Sequence, residues 1–290
     1  MHPAPSVILF STLSGLGFGF LAFLGAGVVL PSGWAAFFLW GLGYGLAVAG
    51  LLAATFHLGN RKNALKAFSQ WRTSWLSREA WASVATLLLL APVALSDWLG
   101  LGLPRLPGQI GAGLALFTVL TTAMIYTQIK AVPRWHLSLT PAMFLSFAIA
   151  GGAMLSGAPW APLALIAVGV VLLALWRVGD GAFARAGQTI GTATGLDQIG
   201  VPSVFEPAHT AGNYLMREMI FVVGRRHAAK LRWIALGLAS LLPALVLLLP
   251  LGWAGIVLAA VLHFAGALAA RWLFFAEAEH VVGLYYGARG

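Results

Sequence analysis

Two ionisable residues, His57 and Glu79, stand at either end of a polar stretch that separates two long apolar segments. Because the chain must fold back between those segments, both side chains can border one pocket at the ends of two helices. A quinone headgroup needs hydrogen-bond donors to its carbonyl oxygens and groups that exchange protons with water. Imidazole suits the first task and a carboxylate the second. The pattern predicts a quinone-binding pair, with Arg72 and Arg78 placed to hold an anionic intermediate.

A purely structural role for the same residues stays open. Ser77 can cap the helix that follows, and Glu79 favours the positive end of a helix dipole. His57 can be an ordinary residue at the interface with water. Under that interpretation the polar stretch is a solvated loop without a site.

Three further ionisable residues belong to the last apolar segment or its end. His263 lies deep in that segment, where an ionisable group is a functional candidate by default. Arg271 and His280 close the segment on the side of the polar stretch, so we expect a continuation of the quinone or proton path there. An interfacial charge cluster and an inert, hydrogen-bonded histidine are the simpler alternatives.

Several kinds of active site are excluded by the residue types. The chain has no Cys, which removes thiolate metal sites and iron–sulfur ligation. It contains no His-Glu-x-x-His, P-loop or nucleophile-elbow motif. A membrane haem commonly needs a pair of His ligands, and His263 is the one His deep in an apolar segment. We therefore expect no haem, no metal site and no catalytic residue in this chain.

The composition assigns the chain to a membrane. Hydrophobic residues make up 60% of it, charged residues 9%, and the mean hydropathy is +0.89. A soluble domain is about 25% charged. A helix that spans a bilayer needs about 20 apolar residues. The candidate segments are 6–30, 34–56, 79–98, 108–129, 141–157, 159–177, 231–249 and 253–275. We predict an all-α, polytopic bundle of eight transmembrane helices that forms a single domain over residues 1–290.

The basic residues predict the orientation of that bundle. Of the 17 Lys and Arg residues, Arg105 alone lies between an odd-numbered segment and the next one. The others follow the even-numbered segments or lie near the end of the chain. The positive-inside rule therefore puts both termini in the cytoplasm, in the cell inner (cytoplasmic) membrane with lipid around the helices. The net charge of +9 then reflects topology and not a nucleic-acid partner.

The longest polar stretch runs from about residue 178 to residue 230, on the predicted cytoplasmic side. A loop of that length without structure of its own is usually functional. We interpret it as a docking platform for a cytoplasmic partner, while a solvated surface loop stays open. The candidate docking residues are Arg225, Arg226, Glu206 and His209.

Several short motifs resemble the dimethyl sulfoxide reductase membrane-anchor family. They are His-Leu-Gly at 57–59, Ala-Phe at 67–68, Ser-x-Leu-Ser-x-Glu at 74–79, Val-Pro-x-Trp at 132–135, Thr-Pro at 140–141, and Arg271 followed by Phe-Phe at 274–275. The resemblance implies that His57 and Glu79 belong to a quinol site. It also implies an anchor without haem, bound to a four-cluster iron–sulfur subunit and a molybdopterin catalytic subunit.

One feature departs from that family and narrows the resemblance. The family's matching His loop faces the periplasm, whereas the charges here predict a cytoplasmic loop. The stretches 2–8, 206–210 and 213–215 look more like the anchor of cytoplasmic sulfite dehydrogenase (quinone). This implies a subunit of an oxidoreductase complex that passes electrons from sulfite, through the iron–sulfur subunit, to ubiquinone or menaquinone.

Three other interpretations stay open. The anchor can serve a reductase of an S-oxide, an N-oxide or polysulfide, which would oxidise quinol. A membrane transporter would carry ionisable groups along a central pathway, yet His263 is almost alone at membrane depth. A purely structural anchor without a quinone site is the third.

Overall fold

The computed structural model describes residues 1–56, 61–203, 219 and 227–286 of the 290-residue chain. Over these ranges the chain is helical, and none of the residues forms a β-strand. The helices are α1 Pro5–Ala26, α2 Gly33–Thr55, α3 Trp75–Leu99, α4 Leu106–Thr127, α5 Leu139–Leu155, α6 Ala161–Asp180, α7 Ala182–Arg185, α8 Ile190–Thr194, α9 Ala228–Leu247 and α10 Gly252–Ala276. Short 3₁₀ turns cover Arg61–Phe68, Leu196–Gln198 and Val281–Tyr286.

The prediction of a polytopic all-α protein is confirmed, and the count of eight spans stays a prediction. Seven helices in the described ranges are long and apolar enough to cross a membrane. The predicted fifth span is the 17-residue helix α5, which falls below that length. At a rise of 1.5 Å per residue it is about 26 Å long, slightly less than a typical hydrocarbon core.

Helix α1 is the centre of the bundle. It packs against α2, α4, α5 and α10, and 72% of its most apolar stretch is buried inside the bundle. Two glycines allow the closest approaches. A Cβ on Gly17 would collide with the backbone of Ala47 in α2, and a Cβ on Gly19 with the backbone of Ala148 in α5. Small residues at such crossings let membrane helices pack backbone to backbone.

Helix α3 begins at Trp75, one turn before the predicted start at Glu79. Ser74, in extended conformation, is the N-cap residue of this helix. The expectation that Ser77 caps the helix is therefore wrong. The Ser77 hydroxyl instead accepts a hydrogen bond of 3.2 Å from the backbone N–H of Gln70. The earlier start carries Glu79 into the bundle, away from the water interface predicted for it.

Helix α9 contains a π-helical segment, Gly237–Leu241. Pro243 follows this segment and has no N–H to donate to the Ala239 carbonyl four residues earlier. Proline in a membrane helix is tolerated where a neighbouring side chain bonds the released carbonyl. In this bundle that side chain belongs to His263 of α10.

Polar clusters tie the helices together at both ends of the bundle. At one end, Asp97 accepts hydrogen bonds from Trp40 at 3.0 Å and from Arg105 at 3.1 Å, with a second Arg105 nitrogen at 2.8 Å. The other end holds an ion-pair cluster that joins the α4–α5 connection, α6, α9 and the residue after α10. Its members are Arg134, Asp180, Arg232 and Glu277, with separations of 2.5 to 2.9 Å.

Candidate functional site

Glu79 is a buried carboxylic acid in the first turns of α3, with 4% of its surface exposed. The Thr122 hydroxyl of α4 donates a hydrogen bond to its Oε1 atom. The same hydroxyl lies 3.0 Å from the Thr118 carbonyl of its own helix, so its one proton is shared between two acceptors. An ionisable side chain in this position is expensive to bury in a membrane protein and marks a functional site by default.

Tyr126 lies one turn beyond Thr122 on α4 and packs against the last helix. It is buried, its ring stacks on Phe144 of α5, and it contacts Phe274 of α10 edge to face. Sequence reasoning missed both α4 residues. A signal was available, because Thr118, Thr122 and Tyr126 recur every four residues on one face of an apolar helix.

Arg271 is a buried cation in α10, with 2% of its surface exposed. Its guanidinium carbon lies 3.6 Å from the centroid of the Phe144 ring and 5.4 Å from that of Phe147, both in α5. Such stacking partly compensates a desolvated charge. Its Nε and Nη1 atoms have no hydrogen-bond partner among the residues that the structure describes.

His263, two turns deeper in α10, is equally buried. Its Nδ1 lies 2.6 Å from the Ala239 carbonyl, the one that Pro243 leaves without its usual helical partner. Its ring centroid is 5.4 Å from that of Phe147. His263 and Arg271 line one small cavity together with residues of α1.

The remaining predicted site residues fall into two groups. Arg78 lies on the outside of the bundle, stacked 4.3 Å from the Trp75 ring, and donates to the backbone carbonyls of Trp71 and Arg72. It therefore holds the polar stretch against the start of α3. The Arg72 guanidinium lies 5.4 Å from the Trp71 ring.

His280 is half-buried after α10, and its Nδ1 accepts a hydrogen bond of 3.0 Å from the backbone N–H of Val282. His57, the first member of the predicted pair, lies outside the described residues. So do the four predicted docking residues, Glu206, His209, Arg225 and Arg226.

The arrangement as a whole is a row of buried polar groups that starts at one end of the bundle. A carboxyl, a phenol and a guanidinium come from α3, α4 and α10, and are surrounded by aromatic rings of α5 and α10. Carboxyl and phenol groups can hold and release protons, and the guanidinium can donate to a carbonyl oxygen. In the described part of the chain, no cluster of three or more His, Asp or Glu residues could hold a metal ion.

Comparisons with known proteins agree with this architecture. A family model for the DMSO reductase anchor subunit (DmsC) matches residues 28–286. One of the subunits of the sulfite dehydrogenase of Allochromatium vinosum is similar to this chain, with 33% identity over 327 aligned residues that cover 99% of each chain. No solved structure matches the chain.

Proposed function

This chain belongs to the DMSO reductase anchor subunit (DmsC) family, and from that premise we propose that it binds quinone and exchanges electrons with it. The observation that carries the proposal is the buried Glu79, bonded by Thr122 one turn before Tyr126. An ionisable residue buried in a membrane helix is a functional-site candidate by default, and this supports the proposal.

Each predicted residue has a part in the proposed site. His57 donates a hydrogen bond to one quinone carbonyl, and Glu79 holds a proton for the reaction. Quinone, when bound, takes up two electrons and two protons. Arg271 and His263 extend the polar row into the bundle, and His280 lies beside its entrance. Arg72 and Arg78 shape the rim at the start of α3, where the Arg78 guanidinium bonds the backbone carbonyls of Trp71 and Arg72.

The complex proposed around this anchor contains two partner subunits. The relative in Allochromatium vinosum belongs to a sulfite dehydrogenase, so we propose that this complex oxidises sulfite and reduces quinone. An iron–sulfur subunit brings the electrons, and a molybdenum-containing subunit performs the substrate chemistry. The docking face includes the stretch from about residue 178 to residue 230, with Arg225, Arg226, Glu206 and His209.

The proposed membrane arrangement keeps eight spans, formed by helices α1 to α6, α9 and α10. Helix α5 packs between α1 and α6 as a neighbouring span would. Its aromatic rings that contact the Arg271 guanidinium lie inside the bundle. The end that carries the Arg134–Glu277 ion pair faces the cytoplasm, in the cell inner membrane. Both termini then lie on that side.

A second candidate function comes from the family description itself. The matching family is named for DMSO reductase, so the same anchor can oxidise quinol for a reductase of an S-oxide, an N-oxide or polysulfide. The quinone site is common to both functions. An assay of the purified complex with sulfite as electron donor and a quinone analogue as acceptor distinguishes the two functions. The reductase would be active only with quinol as donor and an S-oxide, an N-oxide or polysulfide as acceptor.

The test of the quinone site is Glu79→Gln in the assembled complex. We expect electron transfer to a soluble dye to continue, because the dye takes electrons from the partner subunits. Quinone-coupled turnover should fall by roughly 10²–10⁴, the usual loss for a positioned acid–base group. Gln109→Ala, which changes an exposed residue near the start of α4 at the opposite end of the bundle, is the control and should alter neither rate. Unchanged quinone kinetics in an assembled Glu79→Gln complex would reject the site.

A further inference from the structure

Three buried side-chain polar atoms without a hydrogen-bond partner in the described part of the chain belong to residues around one cavity. They are Thr12 Oγ1, Arg271 Nε and Arg271 Nη1. Thr12 and Arg271 line the same small cavity between α1 and α10. A fourth such atom, Ser240 Oγ, lies against Gly169 of α6 and does not belong to the cavity. Buried polar groups are nearly always paired, so three together need a partner that is not a protein side chain.

The cavity has the right size and chemistry for that partner. Its volume is ≈ 10 Å³, which corresponds to about one water molecule by the usual measure. Arg271 offers two unused donor nitrogens, and the Thr12 hydroxyl offers a donor and an acceptor. His263 and Ser11 line the same space. A site for water needs two to four such partners, whereas a cavity with apolar walls alone stays dry.

Larger and charged ligands fit these walls poorly. Phe147, Phe264 and Leu16 close the remaining sides, so a ring the size of a quinone headgroup has no room in so small a space. An anion would find one cation, Arg271, which already stacks on Phe144 at 3.6 Å. A small neutral molecule with both donor and acceptor capacity meets all the unused atoms.

We propose that this cavity is a hydration site inside the bundle, in which water bound by Arg271 and Thr12 continues the polar row of the site toward His263. The bound water solvates the guanidinium on the side that the aromatic rings of α5 leave free. It deepens the proposed quinone function, on which its role rests, because it keeps a solvated cation on the Phe144 ring, against which Tyr126 also stacks. Whether water is bound is a separate question from whether quinone reacts.

The test measures water directly, by hydroxyl-radical labelling in a synchrotron X-ray beam, with modified residues read by mass spectrometry. Radicals form from water next to a side chain, so a buried residue is labelled only beside bound water. We expect Phe147 and His263 to be labelled several-fold faster than Phe20, which is fully buried and lies outside the cavity. The experiment uses the whole chain, without quinone turnover.

A variant that removes a polar wall of the cavity provides the second arm. Thr12 lines the cavity and its hydroxyl has no partner among the described residues, so Thr12→Val keeps the shape of the side chain and removes one of the groups that would bind water. It should reduce labelling of Phe147 and His263 toward the level of Phe20. Thr121→Val is the matched control, since the Thr121 hydroxyl bonds the Thr118 carbonyl of its own helix and Thr121 lies outside the cavity.

Two results would overturn the hydration site. One is labelling of Phe147 and His263 in the unmodified protein at no higher rate than Phe20. The other is labelling that persists unchanged in Thr12→Val. Because neither measurement depends on quinone, a complex that fails the Glu79→Gln test can still hold the water, and a complex that passes it can have a dry cavity.

Discussion

The hydroxyl of Thr122 in α4 donates a hydrogen bond to the carboxyl of Glu79 in α3, and both side chains are buried. This contact fixes where the carboxyl oxygen lies relative to Tyr126, one turn further along α4. Thr122 therefore holds the carboxyl group of the proposed site in place.

The first prediction removes that hydroxyl with Thr122→Val, which preserves the shape of the side chain. An unpaired buried acceptor costs about 1–3 kcal/mol, so we expect a lower melting temperature in detergent and slower quinone-coupled turnover. The dye-coupled rate should not change. Thr121→Val is the control, because the equally buried Thr121 hydroxyl bonds only the Thr118 carbonyl of its own helix. Equal effects of the two variants would show that the contact with Glu79 has no special role.

The second prediction concerns the two acids that share Arg134 and Arg232. Glu277 is 5% exposed and Asp180 is 50% exposed, although both contact the same two cations. Glu277→Gln should lower the free energy of unfolding by about 1.5–3 kcal/mol, since it weakens two charge-assisted hydrogen bonds to half-buried cations that then keep Asp180 alone as their acidic partner. Asp180→Asn should cost less than about 1 kcal/mol, as water screens an exposed pair. Denaturant titrations of both variants measure the difference, and a larger loss in Asp180→Asn would contradict it.

The third prediction is the orientation in the membrane. The basic residues put Gly290 and the 178–230 stretch in the cytoplasm, with the α3–α4 connection outside. A cytoplasm-active reporter fused at Gly290 should be active, and an export-dependent reporter fused within residues 100–105 should be active there. Export-dependent activity at Gly290 would reverse the topology and favour a periplasmic reductase.

The fourth prediction concerns docking of the iron–sulfur subunit. Reversing the charges with Arg225→Glu and Arg226→Glu should release that subunit from membranes, while the anchor itself stays inserted. Membrane flotation with detection of both subunits measures this. Lys130→Glu is the control, because Lys130 is exposed and lies on the same predicted side, outside the proposed docking face. If the iron–sulfur protein remains bound at physiological salt, the two charges serve topology alone.

The helices could be predicted from the sequence because apolar length is a local property. The predicted segments agree with the observed helices to within a few residues in most cases, as in Gly252–Ala276 for the predicted 253–275. The start of α3 is an exception. The sequence pattern places Trp75 and Leu76 in the polar stretch, and so predicts Glu79 at a helix end beside water, whereas the helix begins at Trp75.

The site could be predicted only in part, because burial depends on which helices become neighbours. Glu79 was chosen for its chemistry, and its burial follows from packing against α4. Arg271 was expected at an interface, whereas rings of α5 enclose it. Thr122 was overlooked because hydroxyl residues in helices commonly bond their own backbone, and this one does so as well.

The central position of α1 has a consequence for the biogenesis of the protein. Its glycines and hydroxyl residues form contacts with α2, α4, α5 and α10, all of which follow it during synthesis. When α1 first enters the bilayer, lipid tails must cover the surfaces that later meet Ala47 and Ala148. The other helices then displace those lipids as they arrive, so the innermost part of the bundle is completed only after α10 has been inserted. A chain truncated before α10 should therefore leave α1 accessible to lipid-phase cross-linkers.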